Sequence, residues 1–331
     1  MTPLQQTILG ITCAFVLPSL LLPEVRAQSL FVRISDADRA FTSGNVLRTL
    51  ATSSAVECGV ECGRLDTCVS FNSRLEGDAT VTCDLLSDIP LSPMKNLAAA
   101  AGTGYYEQTC QPLFSLTTAV EFDEGGVNVA GFVYVTSNHG VDVMLVNMST
   151  TNDVLAVSRV ASVAQKSGGK FTQIHGMTKV HMGNGTSIEV FMTGSDVWCT
   201  LEGYGLPSQP CFASNPMPMI TIFGTDGISA LLETKTHVGM MAFSYSKVII
   251  MDILSPGNWV VNTTIDLSPG NQPPGWMDIP RGLVGSAWLV RQDSTGLDIY
   301  DTAFLVTQHY YVVYDFPNDV ILKRGHLCPS D

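Results

Sequence analysis

Four closely spaced cysteines, Cys58-x3-Cys62-x5-Cys68 followed by Cys83, constrain this chain more than any other feature. They follow an apolar leader, so they read as a disulfide framework in an oxidising compartment and not as a metal site. Ser53 is placed to cap a helix, with Glu57 in its first turn favouring the positive helix end. Cys58 and Cys62 are four residues apart, so on that helix they share one face and can both turn toward a sheet. Cys68-Val69-Ser70-Phe71-Asn72 and Val81-Thr82-Cys83-Asp84-Leu85 read as strands, with Gly104-Tyr105-Tyr106-Glu107 a third. Four cysteines allow three pairings. A helix tied twice to one sheet gives Cys58–Cys83 and Cys62–Cys68.

The leader spans residues 1–27. Its apolar core runs from Ile8 to Leu17, continues through Leu20-Leu21-Leu22, and ends in Val25-Arg26-Ala27, with small side chains where a signal peptidase reads. Pro18 and Pro23 interrupt it, and it falls short of the roughly 20 apolar residues that span a bilayer. Cleavage after Ala27 and secretion to the extracellular space are expected. No later segment is long and apolar enough to insert in a membrane, and Leu327-Cys328-Pro329-Ser330-Asp331 carries no lipid-anchor pattern. With 45% hydrophobic and 14% charged residues, the chain has ample material for buried cores. A net charge of −13, spread without an acidic block, argues against nucleic acid or an anionic membrane as partner. Sequons at Asn147, Asn184 and Asn262 are expected to be glycosylated in a eukaryotic secretory pathway.

The helical Cys-x3-Cys, the Cys68-x2-Phe71 strand, the lone Cys83 in an apolar strand and the closing Tyr105-Tyr106-Glu107 together resemble the PAN/apple family. The lead-in from Phe31 to Asn45-Val46-Leu47 matches as well. The resemblance covers about residues 29–108 and assigns 28–109 to an α+β module. The chain lacks the extra cysteine pair that joins the ends of full apple domains, so it looks like the four-cysteine PAN form. The family implies a hairpin-loop-like module that binds proteins or carbohydrates, and no ligand residue carries over.

Residues 110–331 change character: short β-branched and aromatic runs alternate with Gly, Asn, Pro and Ser clusters. An opening motif recurs as Leu116-Thr117-Thr118-Ala119-Val120, Gly176-Met177-Thr178-Lys179-Val180, Gly227-Ile228-Ser229-Ala230-Leu231 and, more loosely, Leu283-Val284-Gly285-Ser286-Ala287-Trp288. Each is followed by a hairpin pattern: Gly131–Val135 with Val141–Leu145, Ile188–Met192 with Asp196–Trp198, Met241–Ser244 with Val248–Met251, and Ala303–Val306 with Tyr310–Tyr314. Four all-β copies predict the blades of a small propeller. An unrelated β-sandwich and a five-bladed arrangement fit the same degenerate pattern.

The opening motif with its aromatic hairpin resembles hemopexin-like repeats. That resemblance implies a staple from the first blade to the last, which falls on Cys110 and Cys328, leaving Cys199 and Cys211 to pair across a loop rich in Gly and Pro. One departure matters. The acidic residue expected at the start of each blade is replaced by Thr118, Thr178 and Ser229 and is lost in the fourth. Family-type ion binding in a channel is therefore in doubt, and no cofactor or metal is assigned.

No nucleophile elbow, His-Glu-x-x-His, phosphate-cradling loop or zinc spacing is present. The histidines are His139, His175, His181, His237, His309 and His326, of which only His175 and His181 are close enough to suggest a metal or haem pair. Exposed or hydrogen-bonded histidines are the simpler reading. Asp123-Glu124 and Asp298 with Asp301 read as solvated turn carboxylates. Trp198, Trp259, Trp276 and Trp288 fit either a ligand surface or a core, and the stiff runs 215–219 and 269–276 are candidate contact loops. These features favour a non-enzymatic extracellular recognition or adhesion protein whose partner is a protein or carbohydrate. A secreted matrix component is the alternative, and an enzyme hidden in the β-domain the third reading.

Overall fold

The computed structural model describes residues 30–34, 38–77, 80–109, 120–122, 129–137, 140–148, 154–162, 176–182, 186–193, 196–201, 209–210, 229–234, 238–255, 258–268, 271–292, 295, 298–307 and 309–326. Between 120 and 210 it gives the backbone, with side chains at Thr178, Val180 and Val190.

The N-terminal elements are β1 (Leu30–Arg33), β2 (Arg39–Phe41), β3 (Val46–Thr52), α1 (Ala55–Gly63), β4 (Ser70–Glu76), β5 (Thr80–Leu86), α2 (Pro93–Asn96), β6 (Leu97–Ala99) and β7 (Thr103–Thr109). An antiparallel sheet in the order β1-β7-β4-β5-β3 carries α1 on one face, and β2 pairs with β6 in a separate ribbon. The helix starts one residue later than the sequence suggests. Ser54, not Ser53, is the cap, with its Oγ accepting the Glu57 N–H, while the Glu57 carboxylate accepts the Ser53 N–H at 2.8 Å. An N-cap hydroxyl accepts the N–H of the residue three positions on, which for Glu57 is Ser54, while the Glu57 carboxylate reaches one residue further back, to Ser53. The bonds from Ser53 also hold the Glu57 carboxyl below its ordinary range. Ser54→Ala is expected to cost about 1 kcal/mol, read as a lower unfolding midpoint of this module.

Cys58 and Cys62, both buried, face the sheet. The structure joins Cys58 to Cys83 (Cα–Cα 5.7 Å) and Cys62 to Cys68 (5.3 Å). Around these bridges pack Phe71, Val81 and Leu85, with Phe71 stacked on Tyr106 at 4.8 Å and tilted against Phe31 at 5.2 Å. Alternation sends the neighbouring residues to the other face. There the ladder sets Ser70 opposite Glu107 and Asn72 opposite Tyr105. Tyr105 and Leu86 pack with Phe41 and Leu97 of the ribbon, and the Asn72 amide both accepts from the Phe41 N–H (2.9 Å) and donates to its carbonyl (3.2 Å).

The remaining strands form four antiparallel four-stranded sheets, each a simple meander. The first holds β8 (Val120–Phe122), β9 (Val129–Ser137), β10 (Gly140–Met148) and β11 (Val154–Ser162). The second holds β12 (Gly176–Met182), β13 (Thr186–Thr193), β14 (Asp196–Leu201) and β15 (Gln209–Pro210). The third holds β16 (Ala230–Glu233), β17 (Gly239–Phe243), β18 (Lys247–Ser255) and β19 (Asn258–Asp266). The fourth holds β20 (Leu283–Gln292), β21 (Asp298–Thr307), β22 (Tyr311–Asp315) and β23 (Val320–Gly325). The four opening motifs fall on or run into the first strands, and the four hairpin patterns on the second and third.

The first strands are also the contacts between sheets. β8 neighbours β12, β12 neighbours β16, β16 neighbours β20, and β20 returns to β8. Between the third and fourth sheets, Leu232, Phe243, Val248, Leu283, Leu305, Val312 and Tyr314 form a buried core. Two side-chain bonds cross it: Ser286 Oγ donates to the Leu231 carbonyl (2.6 Å) and Trp288 Nε1 to the Glu233 carbonyl (2.8 Å). The leader, Cys110, Cys211, Cys328 and the Cys199 side chain lie outside the described residues, as do both bridges expected of those cysteines. Among the described residues, no helix is long and apolar enough to cross a membrane.

Candidate functional site

The chemistry most concentrated in the described residues sits where the N-terminal sheet meets the fourth sheet. Strand β7 directs Tyr105, Glu107 and Thr109 to the face away from α1, and all three are buried. Arg324, near the end of β23, meets Glu107 in a fork: Nη1 donates to Oε1 and Nη2 to Oε2, both at 2.7 Å. The side chains are 1% and 0% exposed. Nη1 also donates to the Pro90 carbonyl at 3.1 Å, and the guanidinium lies 4.1 Å from the centre of the Tyr310 ring. The pair is thus neutralised, hydrogen-bonded and covered by an aromatic face, the conditions under which a buried charge pair persists. Burial and the Glu107 charge push the Tyr105 phenol far above its ordinary range.

His326 completes the cluster. Its Nδ1 lies 2.7 Å from the His309 carbonyl oxygen, which can only accept, so Nδ1 carries the hydrogen. Nε2 stands 3.6 Å from Glu107 Oε2. Burial, the largest influence, holds this imidazole below its ordinary 6.5, with Arg324 acting in the same direction; the bond to His309 and the Glu107 charge oppose it. A folded-state pKa below the unfolded value means that the unfolded chain takes up the proton first as pH falls. The stability from neutral His326 is therefore complete above about pH 6.5 and lost progressively below it. Carboxyls held low by hydrogen bonds, Glu57, Glu76 and Asp266, lose their contribution only further into acid. Unfolding midpoints followed from about pH 7.5 to about 5.5 should fall, and His326→Gln should flatten that slope.

A second contact joins the same two parts. Ser92 caps α2 by accepting the Lys95 N–H, and the same hydroxyl donates to Asp278 Oδ1 at 2.7 Å. Lys95 Nζ binds the other oxygen of this carboxylate, whose side chain is 4% exposed. Asp278 is presented by the segment joining β19 to β20, which is itself fastened. Asp319, in the left-handed region (φ 53°), accepts the N–H groups of Gly275 (3.1 Å) and Met277 (3.4 Å) on one oxygen and the Tyr314 hydroxyl on the other. Trp276 packs edge-on to Phe316 at 5.9 Å, and Ile279 is buried in the core.

This placement changes the reading of several sequence candidates. In the 269–276 run, marked as a contact loop, Asp319 accepts the Gly275 N–H and Trp276 packs against the core, while Asn271 and Pro274 remain exposed. Trp259 is buried, and Trp276 and Trp288 are partly buried and pack against the core of the third and fourth sheets. Ser229 donates its hydroxyl to the Phe243 carbonyl at 3.2 Å, and Thr178 is buried on β12. Asp301 accepts from Thr302 Oγ1 at 2.9 Å. Asn262 is exposed and donates its amide to Asp252. Thr118, Asp123, Glu124, His139, His175, Asn184, His237 and residues 215–219 lie outside the described residues, as do the side chains of Asn147, His181, Trp198 and Asp298. Among the described residues, no group of three or more His, Cys, Asp or Glu is placed to hold a metal ion. The sequence reading passed over Glu107, Arg324, Lys95 and Asp278 as partners. One available signal was an acid at an alternating, core-facing position of β7.

No family model matches the chain, and no curated protein matches it. Solved structures do. A 2S albumin seed protein from Dolichos aligns at 14% identity and TM-score 0.42, covering 64% of this chain and 95% of its own. The hemopexin fold protein CP4 from cow pea aligns at 9% and 0.41, covering 64% and 93%. A plant lectin with two metal binding sites from Cicer arietinum aligns at 14% and 0.39, covering 60% and 85%. At these scores the likeness carries no argument about ligand or role.

Proposed function

We propose that this chain is a secreted, non-enzymatic recognition protein in which a PAN/apple-like module is locked onto a four-bladed propeller, and that it binds an extracellular protein or carbohydrate. The observation that carries this reading is the junction. Two polar contacts, Glu107–Arg324 and Asp278 with Ser92 and Lys95, fix the disulfide-framed sheet against the fourth sheet. Their groups are occupied in holding two surfaces in one relation, an arrangement suited to presenting a composite binding surface. The propeller reading is supported by the four meanders and by the cycle of neighbours β8, β12, β16 and β20. Secretion is supported by the two disulfides and by the leader pattern of residues 1–27.

The secreted full-length chain, immobilised and offered a glycan array and extracellular protein extracts, should retain a glycan class or protein saturably. Retention of neither overturns the recognition role. Peptide mapping of the unreduced protein tests the ring: Cys110 joined to Cys328 supports closure of the first blade on the last, and Cys110 joined to any other cysteine removes it.

A further inference from the structure

Strand β19 is the outermost strand of the third sheet. Its residues 260–264 are all exposed, and Val260 (46%), Val261 (41%) and, at the adjoining end of β18, Leu254 (64%) place apolar surface there. From Asn258 to Ile265 the strand carries no charge and is rich in Val, Thr, Ile and Trp. An open edge of this composition is a template for pairing with a second copy, which proteins ordinarily block with a charge, a proline, a bulge or a cover. Two other long outer strands differ: β3 carries Arg48, and β23 carries Lys323.

The β18–β19 ladder is interrupted at two places, one at Leu254 on β18 and the other on β19 itself. Ile250 pairs with Thr263 and Met251 with Val261, leaving Asn262 as the extra residue of a β-bulge. Asn262 is also the acceptor of the sequon Asn262-Thr263-Thr264. Its exposed amide donates to both oxygens of Asp252 (3.2 and 3.0 Å). A glycosylated amide keeps one N–H, so one of these bonds survives attachment of a sugar and can orient it.

We propose that Asn262 carries an N-linked glycan and that this glycan guards the β19 edge, preventing two copies from joining strand to strand. The inference rests on the secreted reading above, and it gives the sequon at Asn262 a structural task. The bulge supplies the projection, the sequon the chemistry, and the apolar edge the reason.

The full-length chain, expressed through a eukaryotic secretory pathway, is examined by glycopeptide mass spectrometry and by size exclusion with light scattering. Asn262 should be occupied and the protein monomeric. Thr264→Ala, which removes the acceptor signal but keeps the Asn262 side chain, should raise the dimer and oligomer fraction several-fold, while Thr264→Ser should not. Adding Val261→Lys to Thr264→Ala should restore the monomer by placing a charge on the edge. Endoglycosidase trimming of folded wild-type protein to a single sugar gives the same readout should Thr264→Ala fail to be secreted. Occupancy at Asn147 or Asn184 with Asn262 empty overturns the proposal alone. A chain that reaches the medium bare at all three sites also overturns the proposal alone, whereas a chain retained in the cell with its leader uncleaved overturns the secretory reading with it. An occupied Asn262 whose removal or trimming leaves a monomer overturns the guarding role.

Discussion

Replacing Arg324 with Met should destabilise the protein by about 3–5 kcal/mol, because it strands the Glu107 carboxylate in a site that is closed to water. The cost comes from the uncompensated charge more than from the lost attraction, so the partner's identity decides the outcome. Glu107→Gln keeps the shape and one acceptor but leaves the guanidinium without its counter-charge, and should also be strongly destabilising. The double variant Glu107→Leu with Arg324→Met removes both charges and should recover much of either single loss. Denaturant unfolding, followed by a probe in each module, checks this. In the wild type the junction should make the two modules unfold together; in Arg324→Met the transitions should separate. A single variant within about 0.5 kcal/mol of the wild type would mean that the fork contributes nothing to the coupling.

Removing the Cys58–Cys83 bridge as a double alanine variant should cost about 3–4 kcal/mol on the chain-entropy model, for a sequence separation of 25. The same change at Cys62–Cys68, with a separation of 6, should cost about 2 kcal/mol, because a short loop has less freedom to lose. The larger effect falls on a small module, whose core is correspondingly limited. Both sulfurs of the long bridge are fully buried between α1 and the sheet, so its loss also opens a cavity beside Phe71 and Leu85. The damage should spread. Glu107 lies on β7, whose neighbour β4 carries Phe71, and a loosened sheet cannot hold its carboxylate to the geometry of the fork. Thermal unfolding of the two double variants, oxidised and reduced, orders the effects; equal losses would refute the loop-length account.

The parts of the fold legible in the sequence were those written in periodicity and spacing. An i,i+4 cysteine pair on a capped helix and alternating strands around Phe71 and Tyr106 place α1 against its sheet. β-branched hairpin runs mark the second and third strands of each four-stranded sheet. The fourth strands, β11, β15, β19 and β23, were passed over because they are outer strands with weak alternation; in β19, Val260 through Thr264 are all exposed. The junction was illegible for a different reason. Arg324 and Glu107 are 217 residues apart, and each alone reads as an ordinary surface charge. Only the packing of two modules makes them one site. The indoles were legible only as an open choice between a ligand surface and a core; Trp259 is buried, while Trp276 and Trp288 are partly buried and pack against the core.

The fork also sets a clock on synthesis. Glu107 leaves the ribosome 217 residues ahead of Arg324, an interval of about 10–40 s at ordinary elongation rates. During that interval the finished N-terminal sheet carries a bare carboxylate on a face destined for burial. Asp278, the partner of Ser92 and Lys95, is synthesised before Arg324, which the last described strand carries. A chain that stops short of Arg324 keeps its charged face open, so the ion pair records, in the folded product, that translation reached the end of β23.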